Sequence, residues 1–250
     1  MTSTPLAVVT GPTAGIGRCF ATTLAGQGYD LCLISRDRAR LEELAAELMS
    51  THDINVEVLS LDLSDPSGRE QAAEYVRTHH VDMLVNNAGF GLKSPFWKTP
   101  IADERRILDV MVTAVMELCH AALPGMRERG SGTIINVSSI ASWITSGTYS
   151  AAKSWVTVFS ESLSRQCAGS GVNVTAVCPG YVRTEFHDRA AMNMSKVPGW
   201  MWLTPQQVVD QALHDAKRNK AISVAGLQYK TLGLFVRTAP RWIIRQMSPR

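Results

Sequence analysis

Short apolar runs alternate with longer stretches of helical periodicity along almost the whole chain. Runs of about four to eight apolar, β-branched residues bounded by turn formers read as strands buried on both faces. They place strands at Leu6–Val9, Asp30–Ser35, Asn55–Leu61, Val81–Val85, Thr133–Val137 and Val172–Val177, with a seventh at Ala221–Val224. Helices fall between them. Arg18–Gln27 and Arg38–Ser50 come first, the latter with Leu41, Leu44, Ala45 and Leu48 on one stripe. Asp65-Pro66-Ser67 opens a helix to about His79, and two long helices cover Ile101–Glu128 and Tyr149–Ala168. Thr204–Asn219 starts with a capping threonine, Pro205 at the first position and Gln207 at the third, a helix-start signature. Strands that alternate with helices pair in parallel, because each crossover carries its helix over a sheet face. The fold class expected is α/β, a single doubly wound parallel sheet with helices on both faces, formed by residues 1–250 as one domain. No internal repeat, low-complexity segment or linker interrupts the pattern. Ligands of such sheets bind at the carboxyl ends of the strands.

Candidate chemistry sits at those ends. The first strand runs into Thr10-Gly11-Pro12-Thr13-Ala14-Gly15-Ile16-Gly17 and then a helix. Glycines let a turn approach a pyrophosphate closely, and the helix start offers free N–H groups to the anion. Gly11, Thr13, Gly15, Ile16 and Gly17 are therefore candidate dinucleotide contacts, although the spacing is neither G-x-G-x-x-G nor a Walker loop. The second strand ends Ser35-Arg36-Asp37. A hydroxyl and a guanidinium there suit a ribose 2′-phosphate, whereas an acid would select free ribose hydroxyls. Asp62, after the third strand, would accept from an adenine amino group or cap its own turn. Asn86-Asn87-Ala88-Gly89 ends the fourth strand, where small and amide residues either lie beneath adenosine or tie neighbouring strands together. After the fifth strand come Ser138, Ser139 and Tyr149-Ser150-Ala151-Ala152-Lys153. Tyr149 and Lys153 are i and i+4 on a helix, so they share a face. An ammonium beside a phenol would lower its pKa from about 10 and let it trade a proton with an alcohol or ketone.

These motifs, with Pro179-Gly180-x-x-x-Thr184, resemble in order and type those of the short-chain dehydrogenase/reductase family, from Leu6 to about Thr184. The resemblance implies a Rossmann-type fold and hydride transfer between a nicotinamide cofactor and a carbonyl or alcohol carbon. It implies Tyr149 as general acid/base, Lys153 as the group that lowers its pKa and holds the nicotinamide ribose, and Ser139 as the hydroxyl that orients the carbonyl. Asn87, Ala88, Gly89, Tyr149, Lys153, Pro179, Gly180, Val182 and Thr184 are then cofactor contacts. Arg36 looks like an NADP-selecting arginine, so the cofactor expected is NADP(H). Within the family the sequence looks most like the branch of hydroxysteroid dehydrogenases and long-chain ketoacyl reductases. Two departures stand out. Leu108-Asp109-Val110-Met111-Val112 carries methionine where the family usually has asparagine, and a thioether cannot hold a relay water as an amide does. Ser139 and Tyr149 are ten residues apart, closer than in most members, so the 140–148 loop is short and Ser138 is the fallback for the serine role. Those departures raise one alternative, a nucleotide-binding sensor or scaffold of the same fold that has lost its chemistry.

Composition adds bounds. The 250 residues are 45% hydrophobic and 19% charged, as in a globular protein with a sizeable core. No basic segment leads into an apolar one at the N-terminus, and no unbroken run of about 18 apolar residues occurs, so neither a signal peptide nor a membrane span is expected. The five scattered cysteines form no C-x-x-C pair and read as reduced, buried thiols of a cytoplasmic protein. The six histidines show no ligand spacing, so no metal is expected. The net charge of +3 hides an asymmetry: Asp215 is the last acid, and Lys217, Arg218, Lys220, Lys230, Arg237, Arg241, Arg245 and Arg250 follow it. Residues 225–250 mix apolar and basic types and would lie on an anionic membrane surface, or pack on their own domain or a neighbouring subunit. Nucleic acid is not an expected partner, since a basic tail without a recognition fold is poor ground for one. Residues 185–203 contain Phe186, Met192, Met194, Trp200, Met201 and Trp202. They read either as a lid over an apolar small-molecule substrate or as plain core packing. The two long helices resemble those through which family members pair, so a homodimer or homotetramer is expected.

Overall fold

The strands are β1 (Leu6–Thr10), β2 (Asp30–Ser35), β3 (Val56–Ser60), β4 (Val81–Asn86), β5 (Gly132–Val137), β6 (Val172–Val177) and β7 (Ile222–Ser223). All pair in parallel in one sheet of order β3-β2-β1-β4-β5-β6-β7. This computed structural model describes residues 4–92, 94–186, 194–195, 197–238, 240 and 242–244. Met192 of the expected lid and Arg241, Arg245 and Arg250 of the tail lie outside the described residues.

The sheet is apolar on both faces because successive side chains of a strand point to opposite sides. On β1, Ala7 and Val9 enter one core and Val8 the other. The helices are α1 (Gly15–Gly26), α2 (Arg38–Thr51), α3 (Pro66–Thr78), α4 (Ile101–Leu108), α5 (Ala114–Arg129), α6 (Gly147–Gln166), α7 (Pro205–Lys217) and α8 (Leu227–Thr238). Phe20 and Leu24 of α1, Leu41 of α2 and Val208 of α7 fill the first core. Ala72 of α3, Leu118 of α5 and Val156 of α6 fill the second. Each large aliphatic or aromatic side chain buried this way contributes about 1.5–3 kcal/mol relative to exposure. The doubly wound α/β architecture expected from the sequence is the one observed. Thr204 and Gln207 close a reciprocal capping box at the start of α7, with bonds of 3.2 and 2.9 Å.

Three elements differ from expectation. The long helix expected at 101–128 is broken by a wider π turn over Asp109–Thr113, in which the Ala114 N–H reaches back to Asp109 O. The run Ile101–Arg129 is also, contrary to the expectation of no span, long and apolar enough to cross a membrane. Half of its apolar window is buried inside the fold, with Ile107, Leu118, Cys119 and Met126 in the core, and that burial accounts for its composition. Third, the segment expected as a tail contains α8. Among the cysteines, Cys19 is only partly buried, while Cys32, Cys119, Cys167 and Cys178 are buried.

Helix α8 is fastened by Tyr229, which is fully buried. Its ring lies so close to Gly180 that a Cβ there would sit 2.0 Å from Cζ, so only glycine fits. Its hydroxyl accepts from Tyr181 N at 2.9 Å and donates to Met201 O. Tyr229→Phe should keep the ring packing but leave those two backbone groups unpaired, a loss of about 1–3 kcal/mol. Tyr229→Ala should lose about 3–5 kcal/mol. Urea unfolding of the two variants measures the difference.

Candidate active site

The strand order reverses between β1 and β4, and a crevice opens where their carboxyl ends part, the place where doubly wound sheets take ligands. Asn87 holds this point together. Its side-chain amide donates to Thr10 O and Gly11 O, both at 3.0 Å. The Thr10 hydroxyl accepts from Asn87 N at 2.9 Å and Ala88 N at 3.0 Å. Of the two readings of Asn86-Asn87-Ala88-Gly89, the strand-tying one is therefore visible directly. Gly17 sits behind the turn, where a Cβ would come within 2.2 Å of Gly11 O and 2.3 Å of Asn87 Nδ2.

The crevice is the mouth of a cleft of about 880 Å³. All the candidate residues line it except Gly17 and Pro179. Pro179 acts from behind, its carbonyl accepting from Ile140 N at 3.0 Å. Gly11, Thr13, Gly15 and Ile16 form one wall, with Thr184 packed against Gly15. At the far corner the Ser35 hydroxyl oxygen is buried with no hydrogen-bond partner among the described residues. Arg36 stands beside it with 60% of its side chain exposed, and its guanidinium is 4.0 Å from Asp62. Asp62 caps its own turn, accepting from Ser64 N at 2.9 Å and Ser64 Oγ at 2.7 Å, while its side chain also faces the cleft. Arg40 joins this corner and was not singled out in the sequence. It donates to Thr13 O at 3.1 Å and lies 3.7 Å from Glu185. Its place in the first turn of α2, just after Arg36, was the available signal.

Deeper in, Ser138 and Ser139 separate in role. Ser138 is 2% exposed and its hydroxyl is engaged with Lys153 O and Thr157 Oγ1, both at 2.7 Å. It is a fastener of α6, and the fallback reading of it as substrate contact is not supported. Ser139 instead faces the cleft, caps the 3₁₀ turn over Ile140–Trp143 by accepting from Ala141 N at 3.1 Å, and bonds the Tyr149 phenol. A second buried chain runs Asn86–Asn136–Ser160 at 2.8 and 2.9 Å, tying α6 to the sheet.

The charges here differ from expectation. Lys153 donates to Val137 O at 2.7 Å, and its Nζ lies 5.8 Å from the centre of the Tyr149 ring. Burial pushes the Tyr149 phenol up to about 12, with the Ser139 hydrogen bond offsetting part of the rise. Tyr149 keeps some exposure on the cleft, which screens part of that displacement. Burial lowers Lys153 to about 8. In the protein alone, then, desolvation outweighs the attraction that was expected to lower the phenol's pKa.

Met111 is 1% exposed. The π turn puts it in the cleft wall against Gly89, where a Cβ would be 3.0 Å from its Cε. Phe90, with Arg106 stacked 5.4 Å above its ring, and Phe186, 5.8 Å from Tyr149, make the rest of the mouth apolar along with Ile144 and Tyr181.

The model of the short chain dehydrogenase family matches residues 5–194. The chain belongs to the short-chain dehydrogenase family. It is 31% identical over 250 residues to the very-long-chain 3-oxoacyl-CoA reductase of Anas platyrhynchos, covering 95% of this chain and 74% of that one. It is 29% identical over 253 residues to the inactive hydroxysteroid dehydrogenase-like protein 1 of Homo sapiens, covering 95% and 73%. A short-chain dehydrogenase from Sphingobium yanoikuyae, solved in complex with NADPH, superposes with a TM-score of 0.84 at 28% identity, over 91% of this chain and 92% of that one. The fold of this oxidoreductase is thus that of its family.

Lys153 gives a stability test. Burial holds its folded pKa at about 8, below the ordinary lysine value of 10.5, so across that interval the unfolded dehydrogenase binds more protons and stability rises with pH. Lys153→Met should remove that slope and raise the melting temperature at pH 7, by roughly 2–4 °C per kcal/mol of relieved burial. Calorimetry without cofactor reads both effects.

Proposed function

We propose that the protein is an NADP(H)-dependent oxidoreductase acting on the carbonyl or secondary alcohol carbon of an apolar, lipid-, acyl- or steroid-like substrate. The observation that carries this reading is the meeting of Ser139, Tyr149 and Lys153 in one cleft with an apolar mouth. NADP(H), when bound, would supply or take up the hydride. The glycine turn offers backbone N–H groups to its pyrophosphate. Ser35 Oγ, buried and without a partner among the described residues, with Arg36 and Arg40 beside it, fits a 2′-phosphate, since guanidinium and hydroxyl donors match phosphate oxygens. Lys153 holds the ribose at the nicotinamide end. Ser139 holds the substrate oxygen, and Tyr149 gives it a proton in reduction or takes one in oxidation. With its pKa pushed up to about 12, Tyr149 is protonated at neutral pH and ready to donate. Residues 185–203, of which 187–193 and 196 lie outside the described residues, are the candidate lid, and Phe186 at its start lies against Tyr149.

A second reading, a cofactor-binding sensor without chemistry, is favoured by Met111 in the cleft wall and by a relative that is itself described as inactive. Reduction of apolar ketones decides between them. Tyr149→Phe should lose about 10²–10⁴ of turnover with NADPH affinity retained, and alcohol oxidation by the parent should climb about tenfold per pH unit through neutrality. Tight NADPH binding without turnover of any apolar ketone would establish the sensor instead. Fluorescence titration tests the phosphate corner. NADPH should bind at least about tenfold more tightly than NADH, roughly 1.4 kcal/mol, and Arg36→Ala should erase most of that preference.

A further inference from the structure

Helix α8 has two unlike faces. Tyr229, Val236 and, beyond Pro240, Ile244 are buried, and Leu232 packs on the core. Opposite them Leu227 is 75% exposed, Leu234 70%, Phe235 52% and Trp242 62%. Several large apolar side chains exposed along one short segment mark an interaction face. The stripe continues past the helix. Gln228 donates to Trp200 O at 3.3 Å and Tyr229 to Met201 O, so Trp200, itself 67% exposed, lies beside the first turn of α8. From the other side Trp143, in the turn after Ser139, packs under Gly233, where a Cβ would be 2.7 Å from its ring. The exposed stripe is thus borne by elements that back the substrate cleft.

Charge selects the occupant. After Asp215 the chain has eight Lys and Arg and no Asp or Glu. Five of these, Lys230, Arg237, Arg241, Arg245 and Arg250, fall in residues 225–250 with no acid among them, so a two-fold contact, which sets the same segment against its own copy, joins like charges. An anionic lipid surface complements them, and Leu, Phe and Trp beside Lys and Arg is the composition that seats at the boundary between headgroups and acyl chains.

We propose that α8 and the Trp200 end of the lid form a face that docks on an anionic bilayer, with the cleft held close to the lipid. Docking requires neither substrate nor cofactor; only delivery of an apolar substrate from the bilayer rests on the function proposed above.

The full-length protein should co-sediment with phosphatidylcholine vesicles that contain phosphatidylglycerol and not with phosphatidylcholine alone. Arg241→Gln and Arg245→Gln should each weaken binding about fivefold. Leu234→Ser combined with Phe235→Ser should abolish it, with thermal melting and NADPH binding preserved because both side chains are exposed. Three results would overturn the proposal: no binding to anionic vesicles, equal binding to both vesicle types, or binding that survives the double substitution. If the double variant instead converts an oligomer to monomer in sedimentation velocity and vesicle binding is unchanged, the stripe is a contact between copies. Because vesicle binding is read without ketone or cofactor, its failure leaves the oxidoreductase reading standing.

Discussion

The site depends on four hydrogen bonds at the point where β1 and β4 part. Beyond the last ladder pair, the backbone groups of both strands lose their partners, and unpaired buried groups are costly. Thr10 and Asn87 supply those partners from their side chains. Gly11 adds a bond to Ile34 O at 2.8 Å, which draws in β2 as well. Three strand ends are thereby locked around the glycine turn, and the missing side chain of Gly17 is what lets them come so close. The first turn of α1 opens onto the cleft beside them, with Gly15 and Ile16 in its wall.

The other half of the site is placed by buried polar bonds between α6 and the sheet. Ser138, Asn136, Thr157 and Ser160 form this seam, so the register of α6, and with it the aim of Tyr149 and Lys153, is set by groups that never touch a ligand. Both working side chains stand in an environment that disfavours their charge. In such a low-dielectric setting each hydrogen bond counts for more than it would in water.

Much of this was legible in the chain. The strands carry continuous apolar runs because both faces are covered, and β2 and β6 were bounded correctly by that signal alone. The cap at Thr204 and Gln207 was readable because both bonds are local. The glycine turn, Asn87, Ser139, Tyr149 and Lys153 were found through their order along the chain, and the cleft gathers them. What was hidden had non-local causes. A π turn adds one residue to a helical loop without altering its composition, so the break at Asp109–Thr113 left no mark. Basic and polar residues masked α8, although Tyr229, Gly233 and Val236 do recur at helical spacing along its inner face. The direction of the Tyr149 displacement depends on how deeply the ring is buried and on Lys153 turning to Val137 O, neither of which spacing reveals.

The two stems of the segment after Thr184 meet at a narrow neck. Val182 and Leu203 pair as an isolated parallel bridge, with Arg183 N bonded to Leu203 O at 3.0 Å and Leu203 N to Tyr181 O at 2.8 Å. Both stems are thus pinned within one bridge of each other, independently of what lies between. Closing a flexible loop costs only about 0.6 kcal/mol more for each doubling of its length. That single bridge fixes both stems, so the cleft wall at Val182 and the start of α7 hold their places without drawing on the chain between them.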